Sequence, residues 1–297
     1  MGGWGMTLRI LASRLLWPAL FGAFVVAIHV AIASGHPMLG FNLAYLALIA
    51  TVGVLERVMP HERSWLDNDG QMGPDLAHTL LNKGVVQMIV AVDVAMGVAD
   101  SVPHGMGIWP TSWPVWAQVV LGLVVAEFGL YWRHRIGHEW PLMWRFHAVH
   151  HSVTRLWFFN TGRFHVVDSA TGVLIGALLW FVAGAPAIVF QWVSAITAVI
   201  GILTHCNIEM RCGWLNYVFN TPNLHRWHHS TVIAEGNTNY GENLMLWDQL
   251  FGTFFNPDRR PPQVIGISEP MPATFLGQLA APFSRNWGAP APATQGD

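Results

Sequence analysis

The sequence predicts an all-α, polytopic membrane helical bundle with four to six membrane-embedded helices and a cytoplasmic, histidine-rich helical cap. Three observations predict it. Hydrophobic residues make up 53% of the 297-residue chain and charged residues only 11%, where soluble domains carry about 25%. Apolar runs recur at the length that crosses a bilayer, about 20 residues. Finally, 15 histidines and 16 tryptophans stand against a single lysine, Lys83. The apolar content excludes disorder, and two cysteines, Cys206 and Cys212, cannot frame a disulfide-built scaffold. A net charge of −2 offers no basic groove, so nucleic acid is not expected as a partner.

The elements follow in order. Residues 15–33 and 38–55 contain no charged residue and predict a first membrane hairpin. Residues 84–99 are apolar apart from Asp93, a short third run, and residues 114–132 are interrupted only by Glu127. Residues 169–208 give 40 positions without Asp, Glu, Lys or Arg, and predict two helices broken near Gly184-Ala185-Pro186. Too few polar positions exist to wrap such helices as the core of a soluble protein. The chain reads as a single membrane domain. Residues 1–74 supply an N-terminal hairpin and loop, 75–255 the catalytic region, and 256–297 a Pro/Ala-rich tail draped over the cytoplasmic face.

Orientation comes from the basic residues. Arg9, Arg14, Arg57, Arg63 and Lys83 flank one side, whereas the connections 34–37 and 100–113 contain neither Lys nor Arg. Positive loops stay cytoplasmic, which places both termini, 133–168 and 209–297 there, as expected of a bacterial inner-membrane protein. Trp109, Trp113 and Trp116 then sit at the opposite interface. The first apolar run is too long for a cleavable signal and lacks a cleavage pattern.

Ten of the 15 histidines lie between residues 134 and 229. Eight form three clusters: His134-Arg-Ile-Gly-His138, His147-Ala-Val-His150-His151 and His225-Arg-Trp-His228-His229. On a helix, positions i, i+3 and i+4 share a face, so each cluster aims imidazoles at a common point. An adjacent histidine turns by about 100° and can serve a second ion. Imidazole is a ligand for Zn, Cu, Fe and Ni, and so many nitrogens exceed the four of a closed structural zinc site. His165 and His205 are further candidates, as ligands or as hydrogen-bonding partners of ligands, and His78 a weaker one. The isolated His29, His36, His61 and His104 read as interfacial residues. Carboxylates should stand near to orient rings and balance charge, the candidates being Glu127, Glu139, Asp168, Glu235 and Asp248. The pattern lacks a GxSxG elbow, a P-loop and a GxGxxG turn. A redox metal pair at the membrane edge, walled by Trp, Phe and Leu, suits O2 activation and attack on a lipid C–H bond with water excluded. Two other readings compete. A metal transporter would place its ligands inside the spans rather than at their ends. A bis-histidine haem bundle would need single histidines facing each other across two helices.

The three boxes, in this order and after hydrophobic spans, resemble the fatty acid hydroxylase / sterol desaturase superfamily of integral-membrane di-iron oxidases. The third box carries the resemblance furthest: Thr221-Pro-Asn-Leu-His225-Arg-Trp-His228-His229-Ser230, then Asn239-Tyr240-Gly241 and Leu246-Trp247-Asp248, with Phe251-Gly252-Thr253. It extends over roughly residues 75–255. Family members often have proline after the position of His165, where this chain has Val166. The resemblance implies a helical membrane domain holding two iron ions, with O2 as co-substrate. It carries ligand roles to His134, His138, His147, His150, His151, His225, His228 and His229, with His165 and His205 at positions of additional histidines. It also implies a lipid substrate taken from the membrane, either hydroxylated or desaturated. No flavin, ferredoxin or cytochrome motif is fused to the chain. Electrons are therefore expected from a separate donor: a reductase, a ferredoxin, a cytochrome b5-like carrier or a reduced pterin.

Overall fold

The computed structural model describes residues 3–82, 84, 107–285 and 287, and these residues are helical, with isolated bridges but no extended strand. Helices α1 (Gly3–Ala33) and α2 (Pro37–Val58) form the first hairpin. Helix α3 (Val115–Glu139) leads directly into α4 (Pro141–His151). Helices α5 (Val166–Ala183) and α6 (Ala187–His205) make the last hairpin, turning through Gly184, Ala185 and Pro186 as the sequence predicts. Four short helices follow: α7 (Pro222–His228), α8 (Ile233–Gly236), α9 (Leu246–Phe251) and α10 (Phe275–Ala280).

Four helices are long and apolar enough to cross a membrane: Met6–Ala33, Pro37–Val58, Val115–Glu139 and Ala187–His205. Their outward faces stay apolar, with Val26, Leu43, Leu46 and Trp116 all exposed. Lipid solvates such a surface; water does not. The expected short span at 84–99, with Asp93, and the neighbouring Lys83 and His104 lie outside the described residues, apart from Gly84.

Two helices exceed the apolar runs that predicted them. Helix α1 begins at Gly3 rather than near residue 15, because its polar first turns are tied down. Arg9 pairs with Glu209 at 2.8 Å, and the Arg211 amide donates to the Ser13 carbonyl at 2.8 Å. Helix α3 continues beyond Trp132 to Glu139, carrying the first histidine box on its last turns.

Helix α6 is the centre of the bundle. Val199, Ile202 and Leu203 pack against Trp17, Phe24 and Ile28 of α1 and Leu48 and Val52 of α2. On its other side Val189, Val193, Ile196 and Ile200 pack against Val119, Leu123 and Ala126 of α3. Other positions of this helix, Phe190 among them, stay exposed on the outer surface of the bundle. Within a bilayer, close packing rather than escape from water holds such helices together.

The ends of these helices then meet. Glu56, near the end of α2, accepts the amides of Phe158 and Asn207, each at 2.9 Å. Asn207 follows closely on the end of α6, and Glu209, which pairs with Arg9, comes just after it. So α1 starts where α2 and α6 stop, and the histidine-bearing end of α3 lies there too. The C-terminal segment runs back over this end. The Gly266 amide donates to the His229 carbonyl at 3.2 Å, Trp144 donates to Glu269 at 2.9 Å, and Gln278 accepts from His78 at 3.1 Å.

Candidate metal centre

Local sequence brings the boxes together. Pro141 disfavours helical geometry at the residue before it, and Trp140 is extended, with φ −102° and ψ 115°. Helix α3 therefore ends at Glu139, and Pro141 opens α4 at its first turn, a position that needs no amide. The reversal lays the second box alongside the first. Gly137 makes this possible: a Cβ at that position would lie 3.3 Å from the His147 ring. The third box sits on α7, which Pro222 likewise opens, and His205 is the last residue of α6.

Nine imidazoles converge into two groups. His134, His138, His147, His151 and His228 form one; His150, His205, His225 and His229 form the other. In each, the nitrogens offered lie within 4.8 Å of one another. The groups adjoin: the rings of His151 and His229 stack at 4.3 Å between centroids. All nine are buried except His138, which is partly exposed.

Most of these rings are held by the nitrogen that faces away from the group. Nδ1 of His134 donates to the Tyr240 carbonyl at 2.7 Å, and that of His228 to the Thr238 carbonyl at 2.7 Å. Nδ1 of His138 meets Asn237 Oδ1 at 3.1 Å, that of His147 Asp168 Oδ2 at 2.8 Å, that of His150 the Arg163 carbonyl at 3.2 Å, and that of His205 Asn160 Oδ1 at 3.0 Å. A neutral ring that spends its proton on Nδ1 presents Nε2 as a bare lone pair.

These lone pairs face inward with nothing to receive them. Nε2 of His134 and of His228 are buried without a hydrogen-bond partner among the described residues. Nε2 of His151 lies 3.0 Å from that of His138 and 3.1 Å from that of His147. In the second group, Nε2 of His225 lies 2.8 Å from that of His205 and 3.1 Å from that of His229. A metal–imidazole bond of about 2.1 Å sets neighbouring donor atoms about 3.0 Å apart at a right angle. Burial, reinforced by the neighbouring imidazoles, holds His150, His151, His225 and His229 well below the ordinary histidine range, and pushes His228 down to about 3. The rings stay neutral, as ligands must. The donor set fits a pair of transition-metal ions.

Of the ten histidines singled out in the sequence, His165 alone stands apart. Its Nδ1 accepts the Val167 amide at 3.1 Å and its Nε2 donates to the Leu279 carbonyl at 3.1 Å, so both nitrogens are engaged by main chain. His78 is similarly placed between the Phe164 carbonyl and Gln278, away from both groups. Among the five candidate carboxylates, Asp168 alone bonds a histidine of either group. Glu127 accepts amides of Glu242 and Asn243, Glu139 pairs with Arg135, and Glu235 pairs with Arg259. Asp248 accepts the amides of Tyr240 and Gly241, each at 2.7 Å. It thereby fixes the loop whose Tyr240 carbonyl holds His134. Gly241 fits because a Cβ there would lie 2.3 Å from the Leu244 carbonyl oxygen.

Sequence reasoning named Asp168 among its candidate carboxylates but missed the other ring partners that are not themselves histidines. Asn160 and Asn237 orient rings, and so do three main-chain carbonyls, which no side-chain pattern announces. Arg133 is different. It is a buried cation directly after the apolar run 114–132, on the same helix; it pairs with both Asp168 and Glu242.

The model of the fatty acid hydroxylase family matches residues 119–253. The ornithine lipid hydroxylase OlsE of Rhizobium tropici is 50% identical over 279 residues, covering 92% of this chain and 84% of that one. The chain belongs to the fatty acid hydroxylase family. More distant members of the wider group include human alkylglycerol monooxygenase, 29% identical over 55% of this chain and 35% of its own length. Methylsterol monooxygenase 2-2 of Arabidopsis thaliana is 23% identical over 60% of this chain and 65% of its own. No solved structure matches. The matched segment contains all three boxes and His205, and the chain is a membrane-embedded, oxygen-dependent lipid hydroxylase. The transporter reading is not favoured.

Proposed function

We propose that the chain is a di-iron hydroxylase that inserts one oxygen atom into a C–H bond of an ornithine-type membrane lipid. The convergence of nine imidazoles, eight of them buried, into a group of five and a group of four carries the reading. The substrate class follows the 50% identity to an ornithine lipid hydroxylase. His134, His138, His147, His151 and His228 would hold one iron, and His150, His205, His225 and His229 the other. When bound, the irons supply the redox chemistry that activates O2 against an unreactive C–H bond.

The protein contributes position, neutrality and dryness. Acceptors on the far side of the rings keep protons on Nδ1 and leave Nε2 free, without side-chain rearrangement during turnover. Phe164, stacked on His150 at 4.0 Å, and Trp144, 5.3 Å from His138, cover these rings and limit the approach of water. Both box one and His205 lie at the ends of membrane spans. A lipid in the adjoining leaflet therefore reaches them without its tail crossing water. The gathering of Arg9, Arg57 and Arg133 at this end supports a cytoplasmic placement of the site. One atom of O2 enters the lipid and the other leaves as water, so two electrons and two protons per turnover come from a separate donor.

Lipid extracts of cells with and without the chain test this. Ornithine lipids should gain one oxygen mass with the wild-type protein and none with His147→Ala. The purified protein should carry two irons. Oxidation of a different lipid class, or a metal content without iron, would replace the assignment.

A further inference from the structure

Both histidine groups are built from the same residue type, yet the charges around them differ. Asp168 lies at the start of α5, is 2% exposed, and its two oxygens are divided. Oδ2 accepts from His147 Nδ1 at 2.8 Å, and Oδ1 accepts from Arg133. Arg133 does not need Asp168 for neutrality alone, because its other nitrogen pairs with Glu242. One cation against two carboxylates leaves this trio with a surplus negative charge, bonded directly to a ring of the five-imidazole group.

Among the described residues, no carboxylate bonds a ring of the four-imidazole group. His205 Nδ1 rests on the neutral amide of Asn160, and His150 Nδ1 on a main-chain carbonyl. Nδ1 of His225 and of His229 are buried with no hydrogen-bond partner among the described residues. The charge nearest in sequence is Arg226, adjacent to His225 and fully buried. Its guanidinium donates to the carbonyls of Cys206 and Ile208, at 2.8 and 3.0 Å, and it makes no salt bridge among the described residues. Buried charges act strongly at short range because little solvent screens them. An anion bonded to a ring of one group and a cation without a salt bridge beside the other act on a pair of divalent ions in opposite senses.

We infer that the two metal positions are unequal, and that Asp168 is the positioning residue that makes the five-imidazole position the tighter. It does so by fixing His147 with Nε2 inward and by increasing that ring's donor strength. The inference rests on the di-iron reading above. It predicts ordered loading, the five-imidazole position filling first, and two distinct iron environments.

The test is titration of Fe2+ into the metal-free, full-length protein in detergent, in competition with a chromophoric chelator. Wild type should bind two irons in two phases. Asp168→Asn should weaken the tighter phase by about 10–100-fold and leave the weaker phase unchanged. Asn160→Asp, which leaves the Arg133 trio intact, should tighten the weaker phase and bring the two together. It also carries the test if Asp168→Asn does not fold. Equal loss in both phases from Asp168→Asn, or an unchanged gap in Asn160→Asp, would reduce Asp168 to a structural residue and overturn the inference. Two irons bound by wild type with equal affinity would also overturn it while leaving the di-iron reading intact. Fewer than two irons in wild type would overturn that reading first, and the inference with it.

Discussion

The five-imidazole group and the four-imidazole group show how one residue type can be mounted in two ways. In the first, four of five rings have a hydrogen-bond acceptor behind them, one of which is a carboxylate. In the second, two of four rings have one, and both are neutral. The first group is assembled from α3, α4 and α7, with α3 and α7 tied to the loop around Tyr240 and α4 held by Asp168 through His147. The second depends on α6 bringing His205 to the same place. Ligand count and ligand support thus run together: the group with the extra ring is also the better anchored.

Removing the ring at the centre of the weaker group should have the largest effect. His225 Nε2 contacts both His205 and His229, so His225→Ala should drop iron from two to one per chain and abolish lipid oxidation, as read by metal analysis and mass spectrometry. His138→Ala removes the one partly exposed ring from the better-supported group and leaves four behind. Iron should stay near two per chain, with product formation falling by about tenfold. Equal losses in the two variants would erase the distinction between the groups.

Acid tests what the groups share. His150, His151, His225, His228 and His229 are held neutral in the fold, below the ordinary value of 6.5. In the unfolded chain they take up protons below that value while the folded chain does not. Stability of the metal-free protein should therefore be full above about pH 6.5 and fall as the pH drops. The slope is up to about 1.4 kcal/mol per histidine for each pH unit. Thermal melts at pH 7.5 and 5.5 would show it as a lower midpoint in acid; a midpoint that rises in acid would contradict it.

Smaller effects follow from the supports. Gly241→Ala would force the loop around Tyr240 away from Leu244 and Asp248, costing about 1–3 kcal/mol. Denaturation should detect this together with looser binding at the five-imidazole group alone. His165→Ala should cost about 1–2 kcal/mol for two lost hydrogen bonds and leave two irons bound. Loss of iron there would return His165 to the ligand set.

The sequence made much of this legible because both signals are periodic. Apolar runs announce spans, and histidines three or four apart announce a shared helix face. Its failures lie where position depends on tertiary structure. Nothing in residues 6–14 shows that Arg9 will find Glu209 and extend α1. Nothing local separates His165, occupied by Leu279 from a distant helix, from His205, which joins a group. Among five candidate carboxylates, only packing selects Asp168, whose neighbours come from α3 and α4. Carbonyls such as those of Tyr240 and Thr238 belong to every residue and so leave no trace in composition.

The returning C-terminal segment has a consequence for how the molecule is made. Gly266, Glu269 and Gln278 touch His229, Trp144 and His78 respectively, and all three are synthesised after every span and every box. Until those last residues have been made, none of the three contacts can form. The segment is therefore the last part of the chain able to cover the histidine end.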